Sequence, residues 1–85
     1  VIALESTEVR SIVLIRVQPL TGDLLPELFA IKGVESAAAL AGEYDYLLTI
    51  RSRSLGKTRR MILTKVQKVH GVKSIETLVV LRDYR

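Results

Sequence analysis

The sequence predicts an α+β fold in which one strand–helix–strand unit is used twice, and three observations carry that prediction. Two glycine–valine corners, Gly33-Val34-Glu35-Ser36 and Gly71-Val72-Lys73-Ser74, divide the chain into similar halves. Each corner follows a stretch of helical periodicity and opens one that alternates like a strand. The chain has 85 residues, which is room for two such units around one core. The resulting order is βαββαβ, a ferredoxin-like αβ-sandwich with a four-stranded antiparallel sheet and both helices on one face. Because that fold hosts many unrelated activities, function has to come from particular residues.

In the first half, residues 1–9 read as an N-terminal arm or a short extra strand. The first regular strand is expected from Arg10 to Val17, with Ser11, Val13, Ile15 and Val17 on one face and Ile12, Leu14 and Arg16 on the other. Pro19 to Asp23 form a turn, and Asp23 is placed to cap a helix. Pro26 falls in the first turn of that helix, where its missing N–H costs nothing. Leu24, Leu25, Leu28 and Ile31 form the apolar stripe, and Gly33 supplies a left-handed stop.

A second strand, from Val34 to Ala41, closes the first half and carries the small residues Ala37, Ala38 and Ala39. Gly42-Glu43 is expected as a tight connection into a third strand, Tyr44 to Arg51. Ser54 caps the second helix, whose buried stripe is Leu55, Ile62, Val66 and Val69, with Gly56 a weak spot near its start. Lys68 suits the last turn, and Gly71 ends the helix. A fourth strand runs from about Val72 to Leu81. The domain thus spans 10–82, with 83–85 as a C-terminal tail.

The sheet face away from the helices should alternate to polar residues if water covered it. Instead Ile12, Leu14, Ala37, Ala39, Ala41, Leu47, Leu78 and Val80 fall on that phase. Burying each larger aliphatic is worth about 1.5–3 kcal/mol, and a bare sheet this apolar would aggregate. A homodimer is therefore expected, joined face to face through Ile12, Leu14, Ala39, Leu47, Leu78 and Val80.

The charge balance is 13 Lys and Arg against 9 Asp and Glu, and from Arg51 to Lys68 there are seven cations and no acid. One reading of that run is a basic face for phosphate or an acidic partner. The preferred reading is a solvated helix face whose long side chains cover apolar surface. The chain has no cysteine, which excludes disulfides, thiolate metal sites and iron–sulfur clusters. The one histidine, His70, reads as a partner of a helix C-terminus rather than a catalyst, and a lone histidine among scattered carboxylates is no metal cluster. There is no nucleophile elbow and no glycine-rich phosphate loop. An RNA-reading sheet would need aromatics on its open face, and the only aromatics are Phe29, Tyr44, Tyr46 and Tyr84. No helix is free to serve a helix-turn-helix, no apolar run reaches the roughly 18 residues of a membrane span, and no signal peptide is visible. The expectation is a cytoplasmic, non-enzymatic protein with no cofactor, no direct nucleic-acid contact and no membrane contact.

Polarity concentrates in Ala41-Gly42-Glu43-Tyr44-Asp45. An acid beside an apolar face is costly unless it meets a cation or accepts N–H bonds. The residues alone favour a hairpin turn whose N–H groups are accepted by Asp45. The other reading is a small-ligand site, with an ammonium at Asp45 and a polar head at the Gly42 backbone.

The order of a helix ending on Gly33-Val34, then Gly42-Glu43-Tyr44-Asp45-Tyr46-Leu47, then Val69-His70-Gly71-Val72, closing on Thr77-Leu78-Val79-Val80-Leu81, resembles the Lrp/AsnC transcription regulators. More narrowly it is similar to their C-terminal effector domain, the RAM domain (regulation of amino acid metabolism), over roughly Arg10 to Leu81. The resemblance implies a dimer, joined into higher oligomers that are commonly rings of four dimers. It also implies amino acids or related small metabolites bound between dimers. By motif, Gly42, Glu43, Tyr44 and Asp45 match the G-x-Y-D effector loop, with Asp45 suited to the ligand ammonium. Thr77 matches a hydroxyl that helps line the pocket, and Ile75 stands where the family often has a second one. Typical members carry an N-terminal helix-turn-helix domain, and nothing before Arg10 would form one. The resemblance thus implies a stand-alone effector module or an excised domain. Such a module acts by ligand-linked oligomerisation or by mixed assembly with full-length Lrp/AsnC regulators, without binding DNA itself. Alternatives are a purely structural assembly module, which Ile75 favours, and an ACT-like regulatory domain of a metabolic enzyme, which the G-x-Y-D hairpin disfavours.

Overall fold

The computed structural model describes residues 8–84. Its elements run β1 (Val9–Val17), α1 (Leu25–Phe29), β2 (Val34–Ala39), β3 (Tyr46–Ser52), α2 (Leu55–Met61) and β4 (Val72–Val79), with α2 continuing into a π-helical turn, Ile62–Val66. The strands form one four-stranded sheet in the order β2-β3-β1-β4, with every neighbouring pair antiparallel. This is the α+β, ferredoxin-like βαββαβ arrangement that the repeat predicts. The expected arm or extra strand before Glu8 lies outside the described residues, and Val9 already belongs to β1.

Alternation fixes the two faces of the central strands. Val13 pairs with Leu48 and Ile15 with Tyr46, and all four are buried under the helices. Leu28 of α1 with Leu24 just before it, Ile62 and Val66 of the π-helical turn with Val69 just after it, and Ile50 complete the core. The other phase, away from the helices, pairs Ile12 with Leu78 and Leu14 with Leu47. The Val80 N–H donates to the Arg10 carbonyl at 2.9 Å and so extends this register past the end of β4.

The two corners are equivalent in hydrogen bonding as well as in sequence. Gly33 and Gly71 take φ of +102° and +101°, the left-handed region that favours glycine. Each carbonyl then accepts from the end of a central strand: Gly33 from the Arg51 N–H at 3.3 Å, and Gly71 from the Gln18 N–H at 2.8 Å.

The structure corrects the sequence reading in four places. A β-bulge between Val34 and Ser36 shifts the register of β2 against β3. Strict alternation from Val34 would send Ala37 and Ala39 to the open face, but the extra residue inverts the phase. Ala37 pairs with Leu48 and Ala39 with Tyr46 on the helix side, and Ala38, opposite Leu47, takes the open face. Ala41 lies beyond the end of β2. Second, Gly42-Glu43 is not a tight turn: residues 40–45 form a loop between β2 and β3, closed by a 2.8 Å bond from the Leu40 N–H to the Asp45 carbonyl. Third, Leu24 rather than Asp23 occupies the N-cap of α1. Asp23 works one position earlier, accepting from the Leu25 N–H at 3.0 Å, while the buried Tyr46 hydroxyl accepts from the Leu24 N–H at 3.0 Å. Fourth, Leu55 is half-exposed and borders an open cleft with Thr77 and Val79. Thr58 is the buried residue of α2 instead, its hydroxyl bonded to that of Ser52. Ser54 caps α2 as the sequence predicts, accepting from the Lys57 N–H at 3.2 Å.

Candidate functional site

The open, apolar sheet face ends in a polar cluster. Arg16, on the same phase of β1 as Ile12 and Leu14, lies where a bulge at Arg16/Val17 shifts the register of β1 against β4. Its guanidinium sits over the Tyr44 ring, 4.9 Å from the centroid, a cation–π geometry, and it pairs with the Glu43 carboxylate. The Tyr44 hydroxyl donates to the carboxylate of Glu76, which stands opposite Leu14 on β4. The 40–45 loop therefore folds back across the ends of β1 and β4. The hydrogen bond to Glu76, ahead of burial and the charges of Glu76 and Glu43, raises the Tyr44 phenol above its ordinary 10.0, against the opposing pull of Arg16.

Asp45 closes the end of the sheet beside this cluster. Its N–H donates to the Ile15 carbonyl at 2.8 Å, and its Oδ2 accepts from the Val17 N–H at 2.9 Å. The N–H it satisfies is one from β1, across the sheet, and not one from its own turn. Among the described residues only Oδ2 is used in this way, so Oδ1 retains acceptor capacity toward them. Gly42, at φ +149°, has open space around it.

The remaining site residues read from the sequence are elsewhere. Ile75 pairs with Ile15 and packs against the core. Thr77 pairs with Val13, on the helix side, and lines the cleft between β4 and the second helical segment with Ile62 and Leu63. Within one protomer the sheet itself separates these two from the Gly42–Asp45 loop. Sequence reasoning missed Arg16 and Glu76, although a signal existed. Arg16 is the one charge among Ile12, Leu14 and Arg16, and Glu76 interrupts the apolar phase of Leu78 and Val80.

The cluster offers carboxylates for a cationic group and a guanidinium for an anionic one, within reach of an apolar sheet. Among the described residues no group of His, Cys, Asp and Glu is arranged to hold a metal ion, and no helix is long and apolar enough to cross a membrane.

The Lrp/AsnC ligand binding domain family matches residues 10–85. A proline dehydrogenase transcriptional activator from Rhizobium radiobacter is 34% identical over 55 residues, which is 65% of this chain and 35% of that protein. The HTH-type transcriptional regulator LysM of Sulfurisphaera tokodaii is 29% identical over 77 residues, 88% of this chain and 54% of that one. The chain therefore spans only about a third to a half of the length of these curated relatives. Among solved structures, a transcriptional regulator from Neisseria meningitidis in complex with L-methionine superposes with a TM-score of 0.83 at 22% identity, over 100% of this chain and 60% of that one. That likeness shows a shared fold. The match over residues 10–85 makes the chain a member of the Lrp/AsnC ligand-binding domain family, whose named relatives here are transcriptional regulators.

Proposed function

We propose that the chain is an amino-acid-sensing and oligomerisation module of a Lrp/AsnC-type regulator. It acts on transcriptional control of amino-acid metabolism through assembly, in the cytoplasm, without catalysis and without reading an operator sequence itself. The observation that carries this reading is the gathering of Arg16, Glu43, Tyr44 and Glu76 beside Asp45, at the end of an apolar sheet face. A zwitterionic ligand needs an acceptor for its ammonium and donors for its carboxylate. Asp45 Oδ1 supplies the first, and the exposed backbone around Gly42 supplies close approach for the second. The solved relative in complex with L-methionine makes amino acids with apolar side chains the first ligands to test.

The open face is the dimer interface in this reading, with Ile12, Leu14, Leu47, Leu78 and Val80 meeting their counterparts. Ile75 and Thr77, on the opposite side of the sheet, reach a ligand only from a neighbouring protomer of a larger ring. Ligand between dimers then favours whichever assembly contacts it best, and shifts the balance only by its differential affinity for the two states. Full-length regulators of the family would join the same assemblies. A purely structural module is the second reading, and the apolar Ile75 packed into the core is the observation favouring it.

Light-scattering mass over a concentration series, with and without each common amino acid, tests the proposal. One amino acid should shift the populations of dimer and higher oligomer, and Asp45→Ala should abolish that shift while leaving the dimer. A mass indifferent to every amino acid supports the structural module. Leu14→Lys and Leu78→Lys should each yield monomer by burying an unpaired charge; two dimeric variants would refute the assignment of the interface.

A further inference from the structure

Against the sequence expectation of a merely solvated basic face and no direct nucleic-acid contact, we propose that the cleft between the α1–β2 corner and α2 is a second binding site, which takes the phosphodiester backbone of double-stranded nucleic acid without reading its sequence. The cleft has a volume of about 850 Å³ and is lined by five cations, Lys32, Arg53, Lys57, Arg60 and Lys65. Three of them, Lys57, Arg60 and Lys65, lie on the second helical segment, and Arg53 immediately precedes its Ser54 cap. The fold adds Lys32, from the other half of the chain, on the facing wall.

The corner itself brings the walls together. Gly33 has no Cβ, and the Met61 methyl sits 2.2 Å from where one would be. That close approach seats α2 against the corner, so Lys32 and the cations of α2 share one concavity. Lys57 and Arg60, three residues apart on α2, are neighbours on one helical stripe, and Arg53, just before the Ser54 N-cap, stands at the start of the same wall. From Lys57 to Lys65 the stripe runs about 12 Å at the helical rise per residue.

Among the described residues no carboxylate forms an ion pair with this cluster. The sequence has no Asp or Glu between Asp45 and Glu76. The two acids at the neighbouring strand ends, Glu8 and Glu35, both engage Arg51. None of the five cations of the cleft is in an ion pair with a described residue. Like charges held this close repel one another, and an anion that spans them relieves the repulsion.

The lining selects among anions. Its one large apolar residue is Met61 and it contains no aromatic, whereas the centre of a protein interface is enriched in aromatic and apolar side chains. Without an aromatic there is also no platform on which unpaired bases would stack. What remains is a row of positive charges without base-reading geometry, and this fits the backbone of a duplex. The inference stands on the cleft alone and is independent of the effector site proposed above.

The test is fluorescence anisotropy of the full chain with a labelled short DNA duplex of arbitrary sequence, across a range of salt. With about four phosphates neutralised, a fourfold rise in salt should weaken binding about a hundredfold. A second duplex of unrelated sequence should bind equally. The double variant Lys57→Ala/Arg60→Ala should bind more weakly and lose about two from the slope of log affinity against log salt. Lys73→Ala/Arg82→Ala removes the same charge away from the cleft and should leave both quantities near those of the parent. Circular dichroism confirms that each variant is folded. Absence of binding at low salt overturns the proposal, as does an equal loss in the two double variants, which would reduce the effect to net charge. Poly-glutamate that competes as well as the duplex at matched charge would reassign the cleft to an acidic protein partner, and so also overturns it.

Discussion

The two halves of this chain share a corner sequence and a hydrogen-bonding scheme, yet they cover their edge strands differently. α1 packs closely on β2 and β3, and the helix side of β2 presents only alanines at Ala37 and Ala39 beyond Val34. Small side chains let the short helix lie close to the strand. In the second half, Ile62 and Val66 of the π-helical turn bury over the central strands, and the helix side of β4 stays open, with Thr77 and Val79 exposed. The turn there is widened: the Gln67 N–H reaches the Ile62 carbonyl at 2.8 Å, an interval of five residues. π-turns of this kind are often found at functional sites. The comparison teaches that a repeated corner dictates the path of the backbone, while side-chain volume decides how much of each strand the helix above it covers.

The sharpest way to break that contrast is to truncate one leucine in each helix. Leu28 of α1 is fully buried, whereas Leu55 of α2 is 52% exposed. Leu28→Ala should cost about 2–5 kcal/mol, and Leu55→Ala under about 1 kcal/mol because little apolar area is lost. Urea denaturation of both variants measures the difference; similar losses would mean that the two helices are covered alike.

The corners come next. Alanine at Gly33 or Gly71 places a side chain at strongly positive φ, a strain of about 1–3 kcal/mol at each site. The added methyl meets the flexible end of Met61 at Gly33, but the branched Thr21 at 2.5 Å at Gly71. Met61 can withdraw by rotating, and Thr21 has far less freedom. Gly71→Ala should therefore be the more destabilising of the two by thermal melting, and the reverse order would show that the corners are held by something other than these contacts.

The smallest effect concerns the loop that ties the halves together. The hydrogen bond to Glu76 holds the Tyr44 phenol above 10.0. A raised folded-state value means that the folded chain keeps this proton longer than the unfolded one. The contribution is complete below the unfolded value of about 10 and is lost as pH climbs through the folded value. A phenolate absorbance titration should show one tyrosine ionising late, and that late component should vanish in Tyr44→Phe. In Glu76→Gln the phenol should ionise earlier. A titration unchanged in Glu76→Gln would remove the bond as its cause.

Much of this fold was legible because its largest signals are local. The corners Gly33-Val34 and Gly71-Val72, the alternation of β1, the Ser54 cap and the buried residues Ile62, Val66 and Val69 all follow from neighbours in sequence. The bulge at Val34/Ser36 left no mark, since Val34-Glu35-Ser36 contains no glycine to announce it. One extra residue there was enough to put Ala37 and Ala39 on the wrong face. Exposure of Leu55 depends on how far α2 reaches over β4, which no spacing within the helix records. At the candidate site the Gly42–Asp45 loop was visible, but its companions Arg16 and Glu76 were not. Their meeting depends on the registers of β1 with β4 and of the loop with both. Ile75 and Thr77 carry the opposite lesson: two residues share a face of a strand whatever motif they belong to, and that face is set by pairing.

The three alanines of β2 have one more consequence, for tolerance to insertions and deletions. Most strands hold their register because a slip of one residue would carry large apolar groups into water. Between Ala37 and Ala39 the same slip exchanges one methyl for another, so side-chain burial scarcely resists it. Loss of a single residue at the bulge would invert this strand with little penalty inside the run itself. What keeps β2 in place is therefore at its ends, in the bond from the Arg51 N–H to the Gly33 carbonyl and in the closure of Leu40 onto Asp45.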